Sequence, residues 1–286
     1  MAITSFIPKV WSARLLENLK NELVYANLLN KDYEGEISQF GDTVHINSIG
    51  GINIKKYTKN TDIDGAEELE TTDQLLVVDQ SNYFNFGIDD IDKAQGRTNL
   101  MDEYTSEASY GLAEKADEYI AGLLSAGKLT PKNLGSTSTP LVIDTPDKAY
   151  RMLVDMKVAL DKSKLPKTGR WVVVPPEMEG LMLLDPRFAY NTGKAEGRLE
   201  NGAVARAVGF DIHVANTVPN TGGNKFKIIA SSNMCATYAQ QILETKAYSP
   251  EKRFSDALKG LHVFGAKVTR PNNIAVATVN FAPEMA

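Results

Sequence analysis

Between Phe40 and Phe86 apolar and polar residues alternate. Val44 and Ile46 fall on one side, with Thr43, His45 and Asn47 on the other. Gly50-Gly51 interrupts the run, and Ile52 and Ile54 resume it against Asn53, Lys55 and Tyr57. A polar stretch, residues 58–70, holds Asp62, Asp64, Glu67, Glu68 and Glu70 around Gly65, and a return limb follows at 75–78 and 83–88. Period-two alternation marks half-buried strands, so the pattern predicts an extended ribbon with an acidic tip. A two-stranded hairpin alone is marginal in water. Such a limb needs a surface outside itself, which points to an assembling subunit.

Helical spacing flanks the ribbon. Residues 9–29 place Val10, Leu16, Leu19 and Leu23 on one stripe, widened by Trp11, Leu15 and Tyr25, with Pro8 at the first turn. A polar turn, Asn30-Lys31-Asp32, ends the segment. The strongest helix follows the ribbon: Leu100, Tyr104, Ala108, Leu112, Ala116, Ile120 and Leu124 recur every four residues, with Tyr119 and Leu123 correcting the drift. Thr145 and Pro146 open a further helix as cap and first residue, carrying Ala149, Met152, Met156 and Leu160 inward.

From Arg170 the texture changes. Residues 171–174 form a buried-type strand, 178–184 a helix, and 210–214 and 226–230 further strands, which predicts an α/β portion over about 165–240. Residues 241–248 read as extended and 261–264 as a strand. The turn at 270–273 then leads 274–279 back as the second limb of a hairpin.

Composition adjusts this picture modestly. An apolar content of 43% over 286 residues suffices for one large or two modest cores. The formal charge of −5 argues against a dedicated nucleic-acid binder, which usually has a pI above about 9. Cys235 is the only cysteine, so no internal disulfide can form. Residues 1–16 lack a secretory pattern, and no window reaches the roughly 18 apolar residues of a span. The expectation is a chain made in the cytoplasm with no membrane partner.

Enzyme chemistry finds little support. Asp89, Asp90 and Asp92 are the best candidate metal ligands, since clustered carboxylates bind Mg²⁺ or Ca²⁺; a solvated acidic turn is the plainer reading. Asp62, Asp64 and Glu67 fail the calcium-loop pattern, because Glu67 stands where glycine is required. Gly193-Lys194 lacks the rest of a phosphate loop, with Phe188 in place of the first glycine and Ala195 in place of Ser/Thr. His45, His213 and His262 lie far apart in strand patterns, and Cys235 sits in an apolar context. No base, nucleophile and orienting group assemble, so the expectation is no catalysis and no cofactor.

Four stretches, in order, resemble the major capsid protein family of tailed bacteriophages: FIPKVWSARLLENL at 6–19, DYEGEISQFGDTVHINSIG at 32–50, FNFGIDDIDKAQ at 84–95 and RFSDALKGLHVFGAKVTRP at 253–271. The resemblance implies an α+β chain of the HK97-like fold. Residues 1–35 would be the N-arm, 36–90 the E-loop lying across an adjacent subunit, and 91–165 a P domain built on a spine helix. Residues 166–240 would be the axial A domain, and 241–286 the C-terminal strands of the P domain. It also implies a homo-oligomer of hexamers and pentamers, with a scaffolding protein, a portal and packaged double-stranded DNA as partners. The virion is the destination and the host cytoplasm the place before assembly. A chain that begins directly at the arm resembles members that use a separate scaffolding protein, or the processed form of a longer precursor, and Met1 favours the former.

The expected subunit contacts are apolar residues of arm and ribbon (Trp11, Leu15, Ile52, Ile54, Leu75, Val77) and the acidic tip (Asp62, Asp64, Glu67, Glu68) against basic residues Arg187, Lys194 and Arg198. An encapsulin-like compartment shell shares the implied fold and is the nearest alternative. A metal-dependent hydrolase using Asp89, Asp90 and Asp92 is the remote one.

Overall fold

A computed structural model describes residues 23–33, 41, 43–49, 56, 59, 71–89, 100–126, 134–185, 206–251 and 255–281. The chain runs β1 (Thr43–Ile49), β2 (Thr71–Val77), β3 (Gln80–Asp89), α1 (Leu100–Ser125), β4 (Leu141–Ile143), α2 (Pro146–Lys162), β5 (Arg170–Val174) and α3 (Pro176–Leu183). It continues through β6 (Arg206–Ala207), β7 (Phe210–Val214), β8 (Asn220–Gly222), β9 (Lys225–Ser232), β10 (Ala236–Tyr248), β11 (Ser255–Val268) and β12 (Ala275–Phe281). These strands form a β1-β2 pair, a three-stranded sheet β10-β11-β3, and a larger sheet in the order β4-β12-β9-β5-β7-β6 with β8 on β9.

The larger sheet is covered on both faces, and its residues sort by parity. Trp171 and Val173 of β5, Ile229 of β9 and Val276 of β12 face a core shared with α1. Val172, Val174, Ile228, Ala230, Ala275, Ala277 and Val279 face a second core filled by Met152, Leu153 and Met156 of α2 and Met178 and Leu181 of α3. Strands buried on both faces read as continuous apolar runs, which is why β5 (RWVVV) and β12 (AVATVNF) barely alternate.

Helix α1, 26 residues and about 39 Å long, lies along the three-stranded sheet and reaches the larger one. Its buried face is Thr105, Ser109, Leu112, Ala113, Ala116, Asp117, Ile120, Ala121 and Leu124. The four-residue repeat expected from sequence drifts about 40° per step on a 3.6-residue helix. By the N-terminal turns the drift carries Tyr104 outward, to 50% exposure. Helix α2 starts as expected, with Thr145 at the cap position and Pro146 in the first turn, but the Thr145 hydroxyl makes no capping hydrogen bond.

Three expectations need correction. β12 does not pair with β11; it lies between β4, parallel, and β9, antiparallel, so 270–273 is a crossover between sheets and not a hairpin turn. An all-buried strand belongs inside a covered sheet, and β11 has both of its edges taken, by β10 and by β3. β3, read as ribbon, pairs with β11 in the body, and the paired ribbon ends at Val77. The helix expected over 9–29 does not extend through its described end: residues 26–28 form a 3-10 turn, and Asn30 bridges to Thr237.

Candidate assembly interface

The ribbon is rooted on its own subunit. β1 and β2 pair from Thr43 with Val77 to Ile49 with Thr71. Alternation puts Val44, Ile46, Leu76 and Val78 on one face, where they bury against Ala239 and Val263 of the three-stranded sheet. Two glycines permit close layering in this sheet. A Cβ on Gly265 would stand 2.5 Å from the Val77 carbonyl oxygen, and a Cβ on Gly260 would collide with the Phe84 ring. Gln74 Nε2 donates to the Thr269 carbonyl at 3.3 Å, so toward its tip the ribbon advances past the end of β11.

The opposite face of the ribbon points outward. His45 Nδ1 meets Asp73 Oδ2 at 2.6 Å across the two limbs, and Leu75 and Val77 stay 44% and 43% exposed. They are two of the thirteen expected contact residues. Trp11, Leu15, Ile52, Ile54, Asp62, Asp64, Glu67, Glu68, Arg187, Lys194 and Arg198 lie outside the described residues.

Residues 24–26 are pinned by a residue the sequence reading missed. The carboxylate of Asp117, 2% exposed on α1, accepts N–H bonds from Val24 (2.6 Å), Tyr25 (3.3 Å) and Ala26 (3.2 Å). It thereby serves the open amides that begin the 3-10 turn, as a capping side chain does within a helix. Burial pushes its pKa up to about 6 against the opposing pull of the three N–H bonds and of Lys31. Leu23, Tyr25, Ala26 and Leu29 pack around it against α1 and β10. Burial also raises the Tyr25 phenol, with the nearby Asp117 charge adding to it. A signal was present: Asp117 is a carboxylate in helical phase with Ala113, Ile120 and Leu124.

Beside Phe264, on the α1 side of the three-stranded sheet, lies a buried polar cluster. Tyr238 Oη donates to Gln240 Oε1 at 2.7 Å, and His262 Nε2 lies 3.2 Å from the same oxygen, so Nε2 carries the ring proton. Phe264 stacks on the imidazole at 5.0 Å between centroids. Burial holds His262 down to about pH 4, a neutral ring at physiological pH.

The residues considered for chemistry do not converge. His45 is on the exposed ribbon face, His213 is half-buried on β7 with its pKa lowered by burial, and His262 is under α1. The Cys235 thiol is buried and pushed up to about 11 by that burial, so it stays protonated. Among the described residues no cluster of three metal-ligating side chains occurs, and no helix is long and apolar enough to cross a membrane. The Asp89 side chain, Asp90 and Asp92 lie outside the described residues.

What the structure does present is a rooted limb with an outward apolar face, a pinned segment at 24–26 and a long helix along a sheet. Comparisons with known proteins give the family and the fold. The family model for phage capsid protein matches residues 75–277. The solved structure described as Mycobacterium phage Che8 is 27% identical, over 89% of this chain and 90% of that one, with a TM-score of 0.71. The capsid of cyanophage P-SCSP1u shares the fold at 13% identity, over 89% and 86% of the two chains, with a TM-score of 0.65. A virus-like particle from Pyrococcus furiosus shares it at 13% identity, over 94% and 98%, with a TM-score of 0.56. No curated protein sequence matches the chain. With a family match over most of its length and an HK97-like architecture, the chain belongs to the phage capsid protein family and is a major capsid protein.

Proposed function

We propose that this subunit builds the closed icosahedral head of a tailed bacteriophage, as hexamers and pentamers around packaged double-stranded DNA. A scaffolding protein and a portal are its partners, and the host cytoplasm is where it resides before assembly. Its role is structural and not catalytic. The division into N-arm (1–35), E-loop (36–90), P domain (91–165 and 241–286) and A domain (166–240) carries this reading. Two strands cross these bounds in their pairing: β3 of the 36–90 segment pairs with β11, and β12 of the 241–286 segment pairs with β9.

The observation that carries the reading is the two-faced ribbon. Its root is satisfied within the subunit, while Leu75 and Val77 keep apolar surface exposed. Laying that face on a neighbour, with Trp11, Leu15, Ile52 and Ile54 as further contacts, gains about 25 cal/mol per Å² of apolar area removed from water. The acidic tip residues Asp62, Asp64, Glu67 and Glu68 seek basic groups on the neighbour, Arg187, Lys194 and Arg198 among them. Exposed pairs of this kind add little strength singly but fix register. A mild net charge of −5 suits a wall that contains DNA without gripping it.

The family match covering 203 of 286 residues (75–277) favours a phage head over an encapsulin-like compartment, whose fold alone is shared. Deletion of residues 55–70 tests the reading. The expected product is a folded subunit that fails to form closed particles; normal shells by negative-stain microscopy contradict it.

A further inference from the structure

The three-stranded sheet has an open end that the ribbon root leaves uncovered. Its ladder sets Lys259 opposite both Lys246 and Asn85, Ala257 opposite Tyr248, and Leu261 opposite Tyr83. Directly opposed residues share a face, and Leu261 and Val263 place this face on the ribbon side of the sheet. Tyr83 is 79% exposed, and Lys246 and Lys259 are both exposed. Tyr248 Oη donates to Asn85 Oδ1 at 3.1 Å, and Lys259 Nζ stands 5.2 Å above the Tyr248 ring. A hollow of about 320 Å³ opens among Tyr83, Asn85, Lys246 and Lys259. Two acidic residues fall on this face of the ladder, Glu244 opposite Leu261 and Asp89 opposite Ser255. Among the described residues, the outer edge of β3 is unpaired along the whole strand.

Two ammonium groups and two aromatic rings on a rigid sheet, beside an open strand edge, suit an extended carboxylate-rich peptide. The chain contains one in residues 62–70, with five carboxylates and no basic residue in nine positions. The described limbs of the subunit's own ribbon run in the other direction. From Val77, seated on Gly265, to Gln74, bonded to Thr269, the ribbon advances away from Lys259. Lys259 already lies six residues, roughly 20 Å, behind Gly265. Among the described residues, none of the subunit's own ribbon limbs lines this hollow.

We propose that Lys246, Lys259 and Tyr83 form the seat for residues 62–70 of a neighbouring subunit. This assignment rests on the shell reading above and adds to it a surface with a defined occupant, distinct from Arg187, Lys194 and Arg198.

The test compares full-length chains carrying Lys246→Glu with Lys259→Glu, Glu67→Lys with Glu68→Lys, and all four changes together. Each is scored by sedimentation and electron microscopy for the concentration at which particles form. Either pair alone raises that concentration roughly tenfold through like-charge contact, and the fourfold variant returns to within about twofold of the parent. Normal assembly by the lysine variant, or no recovery in the fourfold one, overturns the proposal. So does intact assembly combined with loss of packaged DNA, which would make the patch a nucleic-acid contact.

The 55–70 deletion, run alongside, separates the two levels. Shells from the deletion sink the ribbon reading itself, whereas a failed deletion with unaffected lysine variants sinks only this seat. If charge reversal disturbs folding, Lys246→Gln with Lys259→Gln replaces it. Its assembly loses the salt dependence of the parent, and an unchanged salt dependence overturns the assignment.

Discussion

The Asp117 anchor predicts a pH response opposite to that of most paired carboxylates. Its pKa rises from 3.8 to about 6 because burial outweighs the three N–H bonds. Between those values the folded chain holds a proton at Asp117 that the unfolded chain has released, so acidification favours the folded state. The full effect is about 3 kcal/mol for a shift of roughly two units, and about 2 kcal/mol of it is present at pH 4.5.

His262 titrates in the same range with the opposite sign. Its folded pKa falls from 6.5 to about 4, so stability is lost as the unfolded chain takes up a proton, by about 2.5 kcal/mol at pH 4.5. The two nearly cancel in the parent, and single variants expose them. Urea unfolding of the unassembled subunit, followed by tryptophan fluorescence, measures the stability gap between parent and Asp117→Asn. That gap grows in the parent's favour by about 2 kcal/mol from pH 7.5 to 4.5. A gap that stays flat or shrinks on acidification refutes the claim that burial dominates at this carboxylate. Amide exchange at residues 24–26 adds a local readout, with faster exchange expected in the variant.

Three other changes have expected outcomes. Gly265→Ala drives a methyl group against the Val77 carbonyl, 2.5 Å away; a loss of roughly 1–3 kcal/mol by urea unfolding follows from forced overpacking. Asp161→Ala removes the partner of Arg170, a guanidinium only 2% exposed and 2.7 Å from the carboxylate. The bonds from Arg170 to the carbonyls of Leu165 and Pro166 remain, and a destabilisation of about 3 kcal/mol in thermal unfolding is expected for the stranded charge. Leu75→Asp with Val77→Asp alters only the exposed ribbon face, so unassembled-subunit stability stays within about 0.5 kcal/mol while particle yield by sedimentation collapses.

The local periodicities were legible because they report which face of an element is buried. Val44 and Ile46 alternate with Thr43 and His45 as the ribbon root requires. The 171–174 run signalled a doubly covered strand, and Leu112, Ala116, Ile120 and Leu124 marked the face of α1. Partnership between distant strands was less visible. The turn at 270–273 suggested a hairpin, yet the absence of alternation in β12 demanded two covered faces, which only the sheet holding β9 and β4 supplies. β3 alternates like a ribbon strand because one of its faces meets α1 and the other is open, a pattern shared by a free arm and a sheet edge. Asp117 went unread because a helix carboxylate is ordinarily solvated. Its meaning lies in three backbone amides more than ninety positions away.

The central placement of β12 also orders events on the ribosome. Until residue 281 has emerged, β4 lacks its parallel neighbour and one flank of β9 stands open. The layer joining both cores is then unfinished. Closure waits on pairings distant in sequence, which are slow to form. A half-synthesised subunit is thus not competent to join a growing lattice, so truncated translation products are excluded from the wall by their own incompleteness.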